Sequence, residues 1–296
     1  MNNILLKEQK RVEKKIIKKE RIDKIDKVEN SIVQHGKLND RVFLLNLNPK
    51  DDIDKVLLEL DNLVEENSYS KIISIIRTDD LPYFVMNGYK VEAYIPKFFN
   101  GKYDCVMASK FFTKKRAEYP EKQLETFSGL LEDIEADNNN KQLQNFKIEE
   151  LNETNVEEIT ELLKQIFTTY PFPIESSNIL KGMQEGRLFY FGVWDRDKLV
   201  GLSGAEVDHK EKNAEMTDFA VLPKYRGKRF ASYLLNLMER SLKKKNIKTA
   251  YAIARLSVLG MNKTFLNASY KYSGTLVNNS HIAGQIESMN IYYKHL

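Results

Sequence analysis

The chain has 296 residues, with 46 Lys and Arg against 42 Asp and Glu and a formal net charge of +4 at pH 7. This length suggests about two domains of ordinary size, each able to bury a core. Apolar runs are too short to span a bilayer, and a lone cysteine, Cys105, excludes an intrachain disulfide. We expect a cytoplasmic protein that binds no membrane and, because its four histidines lack ligand spacing, no metal.

Positive charge is concentrated at the start of the chain. The first thirty residues carry ten Lys or Arg against six Asp or Glu, and this balance equals the formal excess of the whole chain. We predict a basic arm over residues 1–35 and interpret it as a solvated, partly disordered helix. A nucleic-acid contact is the less favoured alternative, because no interleaved aromatic residues accompany the charge.

A smaller α/β domain is predicted next, over residues 36–112. Its strands cover residues 42–47, 71–76, 91–95 and 104–111, and its helix covers residues 51–64. The region ends with a helix, a Gly-aromatic pair, a strand, a turn and a strand. This order resembles the last third of the second predicted domain, described below. We interpret this region as a degenerate, non-catalytic half-domain or as an unrelated α/β cap, followed by a linker over residues 113–144.

The second domain, over residues 145–296, shows strands and helices in an ordered series. Predicted strands cover residues 146–151, 187–194, 198–207, 214–221, 249–255 and 286–293, and predicted helices begin near Asn155, Phe230 and Leu259. Strands, then two βα units, then a strand predict a mixed sheet with helices on both faces.

The most informative segment reads FAVLPKYRGKRFA over residues 219–231. A strand ends at Pro223, Gly227 lies at a turn, and an amphipathic helix follows. Unpaired N–H groups and the helix dipole favour an anion at such a helix start, and Arg226, Lys228 and Arg229 add side-chain cations. Neither G-x-x-x-x-G-K-[ST] nor G-x-G-x-x-G occurs in the chain. The segment predicts a phosphate-binding turn of another kind, against the alternative of an ordinary βα unit.

This segment resembles motif A of the GCN5-related N-acetyltransferase (GNAT) superfamily, roughly [Q/R]-x-x-G-x-[G/A]. Here the motif reads Arg226-Gly227-Lys228-Arg229-Phe230-Ala231, with Arg229 in place of the commonest glycine. The resemblance implies an α/β (α+β) GNAT fold, a mixed twisted sheet with helices on both faces. It also implies that acetyl-CoA is the acetyl donor. The expected coenzyme-binding residues are the six of the motif together with Phe219, Ala220, Val221 and Asn262.

Further segments resemble the β-lysine N-acetyltransferases within that superfamily. They include Tyr170-Pro171-Phe172-Pro173-Ile174, Ser257-Val258-Leu259-Gly260-Met261-Asn262 and Asn278-Asn279-Ser280-His281-Ile282-Ala283-Gly284. The resemblance implies acetylation of the ε-amino group of β-lysine to the compatible solute Nε-acetyl-β-lysine, which serves osmoadaptation, with a lysine 2,3-aminomutase as functional partner. The alternatives are another amine (a protein lysine, a polyamine or an aminoglycoside) and a non-catalytic acyl-CoA-binding module.

The reaction needs a base, because a lysine-type ε-amine is overwhelmingly protonated at neutral pH. Glu215 is the candidate, six residues before Val221, where histone-type relatives in the superfamily carry a glutamate; Glu206 and Asp218 are rivals. A backbone N–H near Ala220 or Val221 is expected to stabilise the oxyanion of the thioester.

The leaving thiolate and the acceptor call for further residues. Phe265 stands about where the family has a proton-donating tyrosine, so Tyr270 is the candidate acid, with Tyr272, Tyr292 and solvent as alternatives. Substrate contacts are expected from Arg255 to a carboxylate, from Glu206 to an ammonium, from the amides of Asn278, Asn279 and Asn290, and from an apolar wall of Tyr170 and Phe172. The oligomeric state stays open, with a homodimer as one option.

Overall fold

The computed structural model describes residues 23–132, 146–167 and 174–296. Residues 23–111, here the N-terminal half, form β1 (Lys24–Val28), β2 (Ser31–Gly36), β3 (Arg41–Asn46), α1 (Ile53–Asn67), β4 (Lys71–Arg77), α2 (Leu81–Met86), β5 (Lys90–Phe99) and β6 (Tyr103–Phe111). The connecting segment holds α3 (Lys114–Ala117) and α4 (Glu121–Glu132).

Residues 146–296, here the C-terminal half, form β7 (Lys147–Glu150), α5 (Val156–Ile166), α6 (Ser176–Gln184), β8 (Leu188–Asp195), β9 (Lys198–Asp208), β10 (Asn213–Val221), α7 (Phe230–Lys244), β11 (Thr249–Arg255), α8 (Leu259–Asn267), β12 (Lys271–Ile282) and β13 (Gln285–His295). All described strands belong to one sheet in the order β1-β2-β3-β4-β6-β5-β12-β13-β11-β10-β9-β8-β7. The predicted mixed sheet with helices is thereby confirmed.

The predicted basic arm is wrong where it can be checked. Its boundary at residue 35 falls inside β2, and β1 and β2 form an antiparallel hairpin that continues onto β3. In β1 only Val28 is buried, so this edge strand lacks the alternation that marks a strand in sequence, and its lysines suit an exposed sheet edge. Residues 1–22 lie outside the described ranges.

The N-terminal half repeats the connectivity of the later part of the C-terminal half. In each, a strand, a helix and a parallel neighbouring strand (β3-α1-β4 and β10-α7-β11) are followed by a helix and an antiparallel hairpin (α2-β5-β6 and α8-β12-β13). The last hairpin strand pairs with the second strand of the parallel pair in both halves. This repetition supports the interpretation as a degenerate half-domain.

The two equivalent helix starts differ in chemistry. The carboxylate of Asp52 caps α1 by accepting hydrogen bonds from the N–H groups of Asp54 and Lys55. Arg229, at the same position before α7, makes no side-chain cap. A helix start that already holds a carboxylate has neither the free donors nor the charge to receive a phosphate. Of these two described helix starts, only that of α7 is suited to an anion.

The two halves meet where β5 pairs with β12, at Gly274 opposite Ala93. A hydrophobic cluster spans this junction, with Ile95 and Met107 from the N-terminal half and Leu276, Met289 and Ile291 from the C-terminal half, all 6% exposed or less. The sequence prediction lacks β12, because two irregularities, at Tyr272–Gly274 and Leu276–Ser280, break its alternation. One sheet and one shared core therefore cross the predicted boundaries at residues 112 and 145.

Candidate active site

A cleft opens in the sheet where β10 and β11 stop pairing. Their parallel pairing runs from Asn213 opposite Thr249 to Glu215 opposite Tyr251, although β10 continues to Val221 and β11 to Arg255. On its other side β10 carries a bulge, because its register against β9 shifts between Thr217 and Ala220. Bulges bend a strand and end pairing locally, which is how this pair of strands separates.

Three carboxylates lie at the closed end of this cleft. Glu215 and Glu206 are directly opposite each other on β10 and β9, so strand alternation puts both on one face of the sheet. Asp218 lies in the bulge with a φ of 57°, and its Oδ2 accepts a 2.7 Å hydrogen bond from the hydroxyl of Tyr190. Gly204 makes room for this contact, since a Cβ there would lie 3.0 Å from the Tyr190 ring.

The surroundings of Glu215 favour its neutral form. Its pKa is raised from the usual 4.5 to about 8, chiefly because the carboxyl group is removed from water and secondly because of the nearby charges of Glu206 and Asp218. A hydrogen bond from the hydroxyl of Tyr251 acts in the opposite direction. Tyr251 is itself held by Phe98 of the N-terminal half, with ring centroids 5.1 Å apart. The carboxyl group is therefore suited to exchange a proton near neutral pH.

The turn before α7 has the conformation that an anion site requires. After the 3₁₀ turn Pro223–Tyr225, Gly227 has a φ of 79° and a Cβ there would meet nothing within 4 Å, so one side of the backbone is open. Among residues 23–132, 146–167 and 174–296, the structure shows no backbone acceptor for the N–H groups of Gly227, Lys228 and Phe230. Open donors, a helix N-terminus and three neighbouring cations fit the phosphates of a coenzyme.

Arg229 occupies a left-handed conformation, with a φ of 61°. This explains why glycine is the commonest residue at this position of the motif, because a residue with a Cβ is strained there by about 1 kcal/mol or more. The departure from the family pattern therefore preserves the backbone shape of the turn.

The far part of β10 borders the cleft with backbone groups and an aromatic ring. Leu222 N–H donates to Val200 of β9 at 3.0 Å, so alternation directs the N–H of Val221 away from β9 and into the cleft. Phe219 packs edge-to-face on Phe265 of α8, with ring centroids 5.5 Å apart. Phe265 thus lies beside the bulge.

Comparisons with known proteins agree with this geometry. The model of the Acetyltransferase (GNAT) family matches residues 156–263. The β-lysine N(6)-acetyltransferase of Methanococcus maripaludis is 35% identical over 275 residues, covering 92% of this chain and 99% of that protein. The chain belongs to the GNAT acetyltransferase family. It is an acetyl-CoA-dependent N-acetyltransferase, as the sequence predicts.

Two further relatives of this GNAT enzyme differ in coverage. N-acetyltransferase YodP of Bacillus subtilis is 28% identical over 272 residues, covering 90% of this chain and 96% of that protein. The β-lysine N(6)-acetyltransferase of Methanosarcina mazei is 35% identical over 135 residues, covering 46% of this chain and 50% of that protein. The similarity to YodP includes the N-terminal half, so both halves have counterparts in this relative.

The side chain of Asn262 forms hydrogen bonds within the GNAT enzyme, contrary to the predicted coenzyme contact. This side chain is fully buried and donates to the carbonyls of Arg255 (2.9 Å) and Val258 (2.8 Å), while its Oδ1 accepts from Asn290 (2.9 Å) and the hydroxyl of Tyr292 (2.7 Å). All its hydrogen-bonding capacity is used. Asn262 fixes the loop between β11 and α8, and Asn290 belongs to the same buried network instead of a substrate pocket.

Tyr270 is wrong as the general acid. It is 3% exposed and packs on Phe265, with Lys294 5.5 Å from its ring centroid. Lys294 pairs with Ala250 at the start of β11, whereas the cleft opens at the other end of that strand. Of the alternatives, Tyr292 donates to Asn262 and the hydroxyl of Tyr272 bonds to Thr275, 2.6 Å away, so both hydroxyls have partners within the protein.

Two of the predicted amide ligands, Asn278 and Asn279, form contacts within the protein instead. Asn278 donates to the carbonyls of Arg116 (3.1 Å) and Glu118 (2.9 Å) near α3. Asn279 is 1% exposed; its side-chain amide donates to the hydroxyl of Ser280 at 3.4 Å, and its backbone carbonyl accepts from the guanidinium groups of Arg41 and Arg116. Both asparagines lie in the irregular stretch of β12 and hold the connecting segment and the N-terminal half to it. Tyr170 and Phe172 lie outside the described residues.

Arg255 and Glu206 keep positions that suit substrate contact. Arg255 ends β11 on the face that also carries Tyr251, and the structure records no hydrogen bond or ion pair of its guanidinium with described residues. Glu206 has a side chain 60% exposed, with Arg187 as its ion-pair partner at 3.8 Å.

Sequence reasoning missed Tyr190 and Tyr251, which reach the carboxylates through strand pairing. Finding them requires the β8–β9 and β10–β11 registers, which no local pattern specifies.

Two remaining expectations concern metals and membranes. Within residues 23–132, 146–167 and 174–296, no group of His, Cys, Asp and Glu side chains is arranged to hold a metal ion. Among the helices of these ranges, none has the length and apolar character that crossing a membrane requires.

Proposed function

We propose that this enzyme transfers the acetyl group of acetyl-CoA to the ε-amino group of β-lysine (3,6-diaminohexanoate). The observation that carries the acceptor class is the group of three carboxylates at the closed end of the cleft, Glu206, Glu215 and Asp218. Carboxylates crowded together bind cations well, and this acceptor is a diammonium. The names of two relatives support β-lysine among such amines.

A carboxylate on the acceptor gives Arg255 its role. An amino acid differs from a polyamine by this group, and a guanidinium without an internal partner, on the same face as Glu215, suits it. A polyamine such as spermidine is the second candidate, since the three carboxylates alone fit it equally well. The product Nε-acetyl-β-lysine would be a zwitterion of the compatible-solute type.

In the proposed reaction, Glu215 takes one proton from the bound ε-ammonium group. The freed amine attacks the thioester carbon, a C–N bond forms, and the N–H of Val221 stabilises the oxyanion. The C–S bond then breaks. The second proton of the nitrogen reaches the leaving thiolate through solvent, and Glu215 releases its own proton to solvent. The phosphates of the donor lie on the turn at Gly227.

The test is a substrate panel. Purified enzyme and acetyl-CoA are incubated with β-lysine, α-lysine, spermidine and a lysine peptide, and release of the CoA thiol is followed. We expect the highest kcat/KM with β-lysine and acetylation at the ε-nitrogen by mass spectrometry and NMR. Arg255→Gln should raise KM for β-lysine by tenfold or more and leave KM for spermidine unchanged. A preference for spermidine would overturn the proposal in favour of the second candidate.

A further inference from the structure

A basic pocket of about 470 Å³ lies at the end of β11 opposite the cleft. Four lysines and a histidine line it: Lys97, Lys102, Lys212, Lys248 and His295. They come from the β5–β6 hairpin, the β9–β10 turn, the start of β11 and the end of β13, so segments distant in sequence converge there. The proposed acetyl transfer uses none of them.

The backbone around this basic pocket is held by specific contacts, both between the two halves and within the C-terminal half. Thr249 Oγ1 donates to the carbonyl of Lys97 at 2.9 Å, and the N–H of Lys248 donates to the carbonyl of Lys212 at 2.8 Å. Gly101 has a φ of 69°, and a Cβ there would lie only 3.1 Å from the side chain of Lys248. The positions of these lysine backbones are therefore fixed before any ligand arrives.

Within the described residues, the four lysines of the basic pocket form no ion pairs with neighbouring carboxylates, although Leu296 also lines the pocket. Asp104, whose charge interacts with Lys97 and His295, accepts a 2.8 Å hydrogen bond from the backbone N–H of Lys97 and another from the hydroxyl of Tyr94. Burial, Lys97 and Lys271 together lower the pKa of His295, as expected where positive charge accumulates.

We propose that the basic pocket binds a small, multiply charged oxyanion of the phosphate type. Lysine ammonium groups act as point charges that suit tetrahedral oxyanions, whereas planar carboxylates are matched by arginine. The pocket is concave and contributed by four segments, which favours a compact ligand over an extended strand of nucleic acid. This site is separate from the turn at Gly227 and does not depend on which amine is acetylated.

Calorimetry with tripolyphosphate as the probe tests this site. The full chain is first saturated with coenzyme A, so that the turn at Gly227 is filled, and the titration is run at about 50 mM salt to limit screening. We expect one tripolyphosphate per chain and weaker binding as salt rises. Lys97→Gln/Lys248→Gln should raise the dissociation constant at least tenfold, with the single variant Lys212→Gln as an independent check.

Lys50→Gln/Lys122→Gln is the matched control, because it removes the same charge from exposed positions elsewhere. Its dissociation constant should stay within twofold of the wild type. Absence of tripolyphosphate binding to the coenzyme-loaded enzyme, or an equal loss in the control, would overturn the proposal. So would displacement of tripolyphosphate from these lysines by a short DNA duplex, which would make the surface a nucleic-acid contact.

Discussion

Glu215 and Glu206 lie directly opposite each other on neighbouring antiparallel strands, on the same face of the sheet. Like charges in such a cross-strand pair are destabilising. Burial first, and then the charges of Glu206 and Asp218, raise the pKa of Glu215 to about 8. Roughly one Glu215 in ten is then ionised at pH 7 in the absence of a cation. In the proposed reaction, an ammonium group bound between the two carboxylates would relieve the repulsion and favour ionisation of Glu215, so we expect acceptor binding itself to prepare the base.

Replacing Glu215, the proposed base, distinguishes its effect on the reaction rate from its effect on stability. Glu215→Gln keeps the shape but cannot take a proton, so kcat should fall by about 10² to 10⁴, with the dissociation constant of acetyl-CoA unchanged. Because the folded pKa lies above the unfolded value of 4.5, the stability that protonated Glu215 contributes is fully present below pH 4.5 and is lost as pH rises through about 8. The variant should therefore match the wild type in melting temperature at pH 4.5 and exceed it at pH 9.

A variant with unchanged kcat at pH 7, or with a lower melting temperature at pH 9, would assign Glu215 a structural role. The base would then be Glu206 or Asp218.

The pH profile reports the environment of Glu215. In the wild type, kcat/KM should rise with pH and level off above about 8, because the base acts in its ionised form. Tyr251→Phe removes a hydrogen bond that favours the ionised form, so the rising limb should move to higher pH while the plateau rate stays within about tenfold. The exposed Tyr83→Phe is the control. An unmoved limb in Tyr251→Phe would exclude Tyr251 as the residue that positions the base.

The sequence predicted the local parts of this site better than the long-range ones. The turn from Arg226 to Ala231 and the strand Thr249–Arg255 depend on neighbouring residues, and both lie where predicted. Asn262 and Tyr270 were misjudged because their partners, Asn290, Tyr292 and Lys294, are distant in sequence. The sequence pattern of an asparagine at a helix start is the same whether its side chain contacts a ligand or forms hydrogen bonds in a buried network.

The sequence does not reveal, for a related reason, that the two halves share one sheet. The pairing of β5 with β12 rests on Gly274 and Ala93, which are 181 positions apart. No local sequence pattern predicts that two such distant segments pair in one sheet. The repeated order of elements in the two halves was visible, whereas their junction was not.

Binding of the donor depends on the conformation of Gly227. With a φ of 79° and open space around the missing Cβ, Gly227→Val adds both backbone strain and a bulky group on the side where a phosphate approaches. Calorimetry should show acetyl-CoA binding weakened at least tenfold, about 1.4 kcal/mol. Gly129→Ala, in open space on α4, is the control and should bind normally. A folded Gly227→Val protein with the wild-type constant would contradict the phosphate-binding role of the turn.

The start of the chain should divide into a dispensable and a required part. Removing residues 1–22 should leave both Michaelis constants within about twofold, since the cleft and the turn lie elsewhere. Removing residues 1–30 also deletes β1 and Asp23, which accepts a 2.6 Å hydrogen bond from buried Asn39. The longer truncation should therefore lower the melting temperature by several degrees. Equal melting curves for the two truncations would show that β1 adds nothing to the fold.

Adding a single methyl group at Gly274 should disrupt the junction between the two halves. A Cβ at Gly274 would lie 2.0 Å from the carbonyl oxygen of Glu92 and 2.9 Å from the Cα of Ala93, both backbone atoms that cannot yield. Gly274→Ala must therefore force β5 and β12 apart and open the cluster that contains Leu276 and Ile291. We expect a loss of at least about 3 kcal/mol in the free energy of unfolding, measured by urea denaturation. Gly260→Ala meets nothing within 4 Å and serves as the control. Wild-type stability in this variant would mean that the halves are not held together at this pair.

Phe98 also packs on Tyr251 across the same junction. The rising limb of the pH profile of kcat/KM should therefore move in Gly274→Ala as well.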